Sequence, residues 1–205
     1  MRRAKVFLNC TLIMLPYLVC TTASAGEDTA KRKARAQSHL IEARRLASDY
    51  KIGKAAASAR EALKDNPNLA EAYVYLGLEY FRSGNLKAAK DEFSRALDLD
   101  SYEAEAHCQM GFVLYQQGEF ESAVDHWNLS ARIDPTSPQT IAGVALGQFK
   151  NGQEDAAIKT FEKILLYDHR FANPAFVSSD NGPKWSGALL QDFHALQEKA
   201  ISQAH

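Results

Sequence analysis

The sequence Tyr73-Val74-Tyr75-Leu76-Gly77-Leu78-Glu79-Tyr80 contains a pattern that returns every 34 residues along this chain. Leu76-Gly77 becomes Met110-Gly111 one period later, and Phe93 becomes Trp127 and then Phe161. One alanine slot is kept through four periods, at Ala55, Ala89, Ala123 and Ala157. A fixed period of this length indicates one supersecondary unit stacked on copies of itself, each copy burying a face that its neighbour completes.

Four units fit one unbroken register, at 36–69, 70–103, 104–137 and 138–171. Small residues such as Gly77 and Gly111 let two helices approach closely, while aromatic residues fill the gaps between them. A glycine marks the turn inside a unit, at Gly84, Gly118 and Gly152. No stretch alternates polar and apolar residues for long enough to indicate a strand. The sequence therefore predicts an all-α protein.

Within one period, Tyr73-x-x-Leu76-Gly77-x-x-Tyr80 followed by Ala89-x-x-x-Phe93 resembles the tetratricopeptide repeat, a helix–turn–helix unit of the same length. The four units of this register make up about two thirds of the chain. The resemblance implies a right-handed superhelical solenoid in which the first helices of successive units line a concave groove. In this family the groove grips an extended peptide or a helix of another protein.

The N-terminal residues have the three parts of a secretory signal. Arg2, Arg3 and Lys5 precede an uncharged, mostly apolar run, Val6 to Cys20, and Ala23-Ser24-Ala25 offers a cleavage site. We expect a cleavable signal peptide at 1–25 and export to a periplasm, a thylakoid lumen or the medium, with membrane contact only during passage. An uncleaved anchor is the alternative. A basic N-terminal extension follows at 26–35, interpreted as a solvated helical end or as a docking patch for an acidic partner.

Charge and composition exclude several classes of function. Removal of the signal takes three of the 24 basic residues and none of the 25 acidic ones, which leaves a balance of −4. This mildly acidic body has no general attraction for nucleic acid. Cys108 is then the single thiol, and the six histidines are scattered. We find no phosphate loop, nucleophile elbow or metal-binding helix motif, so the sequence predicts no catalytic site, no cofactor and no metal.

The family's geometry predicts which side chains face the groove. The register places Glu71, Tyr75, Glu105, Gln109 and Gln139 there. We predict that partner binding depends on ten residues: Val74, Leu78, Phe81, Arg82, Cys108, Phe112, Tyr115, Leu146, Phe149 and Lys150. This face is apolar and aromatic, unlike the basic clamps with which other members hold a terminal carboxylate. A partner's apolar strand or amphipathic helix, the chain's own ends, or packing between repeats are the alternatives for what covers it.

The C-terminal segment predicts a loop at 172–183 and a helix at 184–205. Trp185, Leu189, Phe193, Leu196 and Ala200 recur at three- and four-residue steps. Such a helix serves as the cap that closes a solenoid, or as a detachable helix that docks on another subunit. Its Trp-x-x-x-Leu-Leu-x-Asp pattern is similar to the tails of small exported repeat proteins of bacteria.

Taken together, these features predict a non-catalytic scaffold in an exported compartment that binds an apolar peptide or helix of another protein in its concave groove and supports assembly of a complex. A structural role is the alternative, in which the solenoid self-associates through its ends to form a homo-oligomer of the envelope.

Overall fold

The computed structural model describes the backbone of residues 14–203 and the side chains of residues 26–203. Ten α-helices follow one another in this part of the chain, and it contains no strand. They are α1 Met14–Ser48, α2 Ile52–Asp65, α3 Ala70–Arg82, α4 Leu86–Leu99, α5 Ala104–Gln116, α6 Phe120–Ile133, α7 Pro138–Lys150, α8 Glu154–Tyr167, α9 Pro174–Ser178 and α10 Gly187–Gln203. A short 3-10 helix, His169–Ala172, lies between α8 and α9.

Successive helices pack as pairs, α1 with α2, α3 with α4, α5 with α6 and α7 with α8, and each pair packs on the next. The first helices of the pairs also contact one another, α1 with α3, α3 with α5 and α5 with α7. The prediction of an all-α solenoid of helix–turn–helix units is therefore confirmed. We call the surface formed by α1, α3, α5 and α7 the inner face.

Trp127 of α6 shows how the small residues of the pattern act. Its indole is fully buried, and it lies against Gly111 of α5 and Gly143 of α7, where a methyl group on either glycine would overlap the ring. The indole Nε1 donates a hydrogen bond to the carbonyl oxygen of Cys108 at 3.1 Å. One large ring is thus held between two units because both neighbouring helices present a bare backbone.

The turns inside the units have the geometry that the glycine pattern predicts. Gly84, Gly118 and Gly152 follow α3, α5 and α7 with φ angles of 79°, 82° and 73°. A residue with a Cβ rarely adopts this left-handed conformation, whereas glycine does so at no steric cost. Each first helix can therefore end there and the chain can reverse into the second helix.

The C-terminal segment is more ordered than a loop followed by a helix. The predicted loop at 172–183 contains α9, because Asn173 caps that helix through Oδ1 and Pro174 occupies its first position. Helix α10 begins only at Gly187 and packs on α5, α7 and α8. The apolar side chains that the periodicity assigned to its inner surface are buried: Trp185, Leu189, Phe193, Leu196 and Ala200.

The N-terminal segment is described only in part. The predicted signal peptide at 1–25 lies outside the described residues, except that the backbone of 14–25 forms the start of α1. The side chains of the basic extension at 26–35 are all exposed, and Ala36 is the first buried residue of the described chain. Among the helices that the structure describes, none combines the length and apolar character that crossing a membrane requires.

Candidate partner-binding groove

The chain's own C-terminal segment covers the part of the inner face where α10 packs on α5 and α7. Six of the ten predicted groove residues are buried: Val74, Phe81, Cys108, Phe112, Tyr115 and Leu146. Phe149 is partly buried against the same core, and the Trp185 ring lies 4.9 Å from the Phe112 ring, centroid to centroid. The structure therefore differs from the expectation of an open apolar groove across all these positions. Burying the apolar surface under the chain itself removes it from water, which accounts for the difference.

Polar contacts fasten this cover at two places. Arg82 donates hydrogen bonds to the carbonyl oxygens of Asp180, at 2.8 Å, and Gly182. Asp192 of α10 accepts from the Tyr115 hydroxyl at 2.6 Å and from Lys150 Nζ at 3.1 Å. Arg82 and Lys150, two of the predicted partner-binding residues, thus hold the C-terminal segment. Burial and the bond to Asp192 raise the pKa of Tyr115, which keeps its hydroxyl protonated.

The thiol of Cys108 also lies inside the protein. Its side chain is fully buried on α5, and burial raises the pKa of the thiol well above its ordinary value. The thiolate is the reactive form of cysteine. Cys108 therefore acts as a small packing residue, and it does not reach the groove surface.

A part of the inner face remains open. A cavity of about 980 Å³ lies between α1, α3, α5, α7 and the segment that follows α8. Three of the ten predicted residues line it: Val74, Leu78 and Arg82. The remaining seven do not. The five polar and aromatic residues that the register places on the groove side also line it: Glu71, Tyr75, Glu105, Gln109 and Gln139.

Sequence reasoning missed the residues that connecting turns bring to this cavity. Tyr50 lies between α1 and α2, Glu103 precedes α5, and Asp134 follows α6. Their only sequence signal is their place beside a helix end, which the repeat pattern leaves variable. Gln139 Nε2 donates a hydrogen bond to the Tyr50 hydroxyl at 3.3 Å. This bond connects α7 to the turn between α1 and α2.

Acidic groups outnumber basic ones on the cavity wall. The carboxylates are Glu71, Glu103, Glu105, Asp134 and Asp168, and the guanidiniums are Arg44, Arg82 and Arg170. Burial raises the pKa of both Glu103 and Glu105, and neighbouring carboxylates raise it further. The wall therefore favours a ligand that carries positive charge over one that carries negative charge.

The charged groups of the wall differ in how they are neutralised. Glu71 accepts two hydrogen bonds from Arg44, at 2.9 and 2.6 Å, and one from the Tyr75 hydroxyl at 2.6 Å. Arg170 pairs with Asp168 at 2.7 Å. Within residues 26–203, Glu103, Glu105 and Asp134 have no ion-pair partner. The cavity thus contains three carboxylates without a counter-charge from the described chain.

Comparisons with known proteins agree with this architecture. A family model described as a TPR repeat matches residues 77–118, and one described as a tetratricopeptide repeat matches residues 104–137. The solved structure of PilF from Pseudomonas aeruginosa is similar, with a TM-score of 0.57 and 19% identity over 83% of this chain and 78% of that chain. That likeness shows a shared fold.

Two further solved structures are similar over much of their length. MamA has 25% identity and a TM-score of 0.49, over 67% of this chain and 80% of that chain. YrrB, a TPR protein with an unusual peptide-binding site, has 18% identity and a TM-score of 0.48, over 81% of this chain and 90% of that chain. No curated protein matches the chain. On its repeat pattern, its paired helices and the two family models that match within residues 77–137, the chain contains tetratricopeptide repeats.

Proposed function

We propose that this chain is a non-catalytic interaction protein that binds a segment of another protein in the cavity of its inner face. One observation carries the proposal: beside the part of the inner face that the C-terminal segment covers lies a cavity of about 980 Å³, lined by residues of α1, α3, α5 and α7. Its volume is at the upper end of what small-molecule pockets have. It suits several side chains of a peptide or of a helix.

The cavity offers apolar and polar contacts side by side. Leu78 and Tyr50 provide apolar and aromatic surface, and Gln109 and Gln139 provide amide groups. An apolar segment of the partner would pack on Leu78, as the sequence predicts. The amides would fix its orientation, because buried polar groups must find hydrogen-bond partners. We therefore expect a mixed segment with one or two apolar anchors, rather than a purely apolar helix.

A peptide library displayed on phage tests this proposal when it is selected against the full chain. We expect selected peptides to compete with one another and to slow amide hydrogen exchange in the first turns of α3 and α5. A library that yields no binder would contradict the proposal. So would binders that protect only α4, α6 and α8, the second helices of the units, and leave the inner face unchanged.

Export is a separate part of the proposal, supported by the signal-like composition of residues 1–25. Expression of the full chain in a bacterium, followed by fractionation and mass measurement, tests it. We expect a periplasmic product that begins at Gly26. A full-length product that stays in the cytoplasm would show that the segment is no export signal. The proposal of an interaction protein would be unaffected.

A further inference from the structure

Two glutamates at equivalent positions of successive repeats share one local arrangement. Glu71 and Glu105 stand 34 residues apart, each in the first turn of a first helix, and both line the cavity. Each also receives a hydrogen bond from the residue four positions later in its helix. Tyr75 donates its hydroxyl to Glu71 at 2.6 Å, and Gln109 donates its amide to Glu105 at 2.8 Å.

The two arrangements differ in one component. Arg44, 27 residues before Glu71, forms a two-pronged ion pair with it. The residue 27 positions before Glu105 is Leu78, which lines the same cavity and carries no charge. Glu105 therefore has the same position in its repeat as Glu71 has in the preceding repeat, but no guanidinium of the described chain pairs with its carboxylate.

The rest of the wall does not supply the missing charge. Arg82 is committed to carbonyl oxygens of the C-terminal segment, and Arg170 is committed to Asp168. Two further residues of the wall are themselves acidic, Glu103 before α5 and Asp134 after α6. Burial raises the pKa of the Glu105 carboxyl. Keeping a charge here therefore costs stability in the free protein, as is common at sites that bind a ligand of opposite charge.

We propose that Glu105 binds the guanidinium of an arginine side chain of the partner segment, in the way that Arg44 binds Glu71. The inference rests on the proposed function, since it names the chemistry of the segment that enters the cavity. A guanidinium suits the site better than an ammonium. Its planar fork can bond both carboxylate oxygens at once, as the Arg44 pair already shows within this protein.

A set of peptide libraries tests this inference on the full chain. Each library consists of N-acetylated, C-amidated heptapeptides with one fixed central residue and the other positions randomised. The central residue is arginine, its uncharged counterpart citrulline, norleucine or glutamate. We expect the arginine library to bind roughly tenfold or more tightly than the citrulline library, because a hydrogen bond between charged groups is lost in the latter.

Two substitutions and a matched control locate the effect. Glu105→Gln keeps the shape and the acceptor for Gln109 but removes the charge, and it should abolish the preference for arginine. Leu78→Arg supplies the missing guanidinium from the chain itself, and it should block the arginine library by occupying Glu105. Glu121→Gln removes an exposed carboxylate in the first turn of α6 and should leave binding unchanged. Thermal unfolding of each variant confirms that the fold is kept.

The outcomes separate this inference from the proposed function. Equal binding of the arginine and citrulline libraries, or an unchanged preference in Glu105→Gln, would overturn the inference. If the norleucine or glutamate library then protects α3 and α5 from hydrogen exchange, the interaction function stands without the arginine. If no library binds, both proposals fail together.

Discussion

At the scale of single residues, equivalent positions of the repeat carry different residue types, and these residues make different contacts in the structure. Arg44 and Leu78 occupy one slot, yet the first completes an ion pair and the second leaves Glu105 open. Phe93, Trp127 and Phe161 also share a slot, and the largest of them lies where two neighbouring helices carry glycine. The period therefore fixes where a residue lies, and the residue type decides what happens there.

The glycine beside Trp127 gives the first prediction. In Gly111→Ala the new methyl group would overlap the indole, which cannot retreat because it is fully buried and bonded to Cys108. We expect the free energy of unfolding to fall by about 1–3 kcal/mol, as overpacking of a core does. Urea denaturation measures the change. Gly53→Ala is the control, since its Cβ would meet nothing closer than 4.0 Å, and it should be neutral or slightly stabilising.

A pair of histidines forms a contact that the spacing along the chain did not predict. The Nδ1 atoms of His107 and His126 lie 2.9 Å apart, and His107 Nε2 lies 3.1 Å from the carbonyl oxygen of Ser101. One ring donates and the other accepts, so the contact requires at least one neutral imidazole. Burial, and then the neighbouring His107, lowers the pKa of His126.

This pair gives a prediction of pH dependence. An unfolded histidine takes up a proton near pH 6.5, whereas the folded protein holds His126 neutral to lower pH. The unfolded state therefore binds more protons in that interval, and stability falls as the pH falls below about 6.5. Urea midpoints at pH 7.5 and 5.5 measure this. In His126→Gln the decrease should be smaller, and a decrease equal to that of the parent protein would refute the assignment.

At the scale of elements, the sequence predicts which side chains of a helix are buried. It predicts less well which other elements those side chains pack against. The 3.6-residue period identifies Trp185, Leu189 and Phe193 as one buried surface, and all three are buried. Their partners lie far away in sequence. The bonds from Arg82 to Gly182 and from Tyr115 to Asp192 span 100 and 77 residues. Local periodicity contains no information about such distant contacts. The sequence alone therefore could not decide whether a partner, the chain's own ends or packing between repeats covers the groove.

The same limit explains what was predicted of the candidate site. The repeat register assigned Glu71, Glu105 and Gln139 to the inner face, because equivalent positions of stacked units face the same way. The turns contribute Tyr50 and Asp134, whose positions depend on how each chain reversal is built. The composition of the chain does not predict which part of the inner face is open and which part the C-terminal segment covers.

Trp185 gives the prediction for the C-terminal element. Its ring contacts Phe112, Phe171 and Phe193, with centroid distances of 4.9, 6.0 and 5.0 Å. Trp185→Ala should lower the free energy of unfolding by about 3–5 kcal/mol, as loss of a large buried ring does. Chemical denaturation followed by circular dichroism measures it. Ile201→Ala, at an exposed apolar residue of α10, should change it by less than about 0.5 kcal/mol.

At the scale of the whole molecule, the solenoid depends on how its apolar inner face is closed. In a stack of repeats each unit contacts only its neighbours, and the terminal surfaces need a cover with a polar outer side. At the C-terminal end of the solenoid, segment 168–203 provides this cover, because its helix α10 packs on α5, α7 and α8. At the other end, residues 26–35 lie within α1, and every one of their side chains is exposed. The two ends of the described chain therefore contribute very differently to stability.

Removal of each end in turn tests this asymmetry. A chain that stops at Tyr167 would leave Phe112 and the surfaces of α5 and α7 without their cover, so we expect it to bind a hydrophobic dye such as ANS and to self-associate. A chain that begins at Ala34 is the control, compared with one that begins at Gly26. The side chains that this shorter chain lacks are all exposed, and two of them, Lys31 and Glu27, form an exposed ion pair, so its stability should change by less than about 0.5 kcal/mol.

Light scattering and dye fluorescence at several protein concentrations distinguish the outcomes. A shortened chain that stays monomeric and binds no dye would show that the α5–α7 face is stable without its cover, and the C-terminal segment would then be a detachable helix rather than a cap. Self-association confined to the shortened chain would show the opposite. The segment is then part of the solenoid, because apolar surface of this kind is kept from water by the chain itself or by another copy.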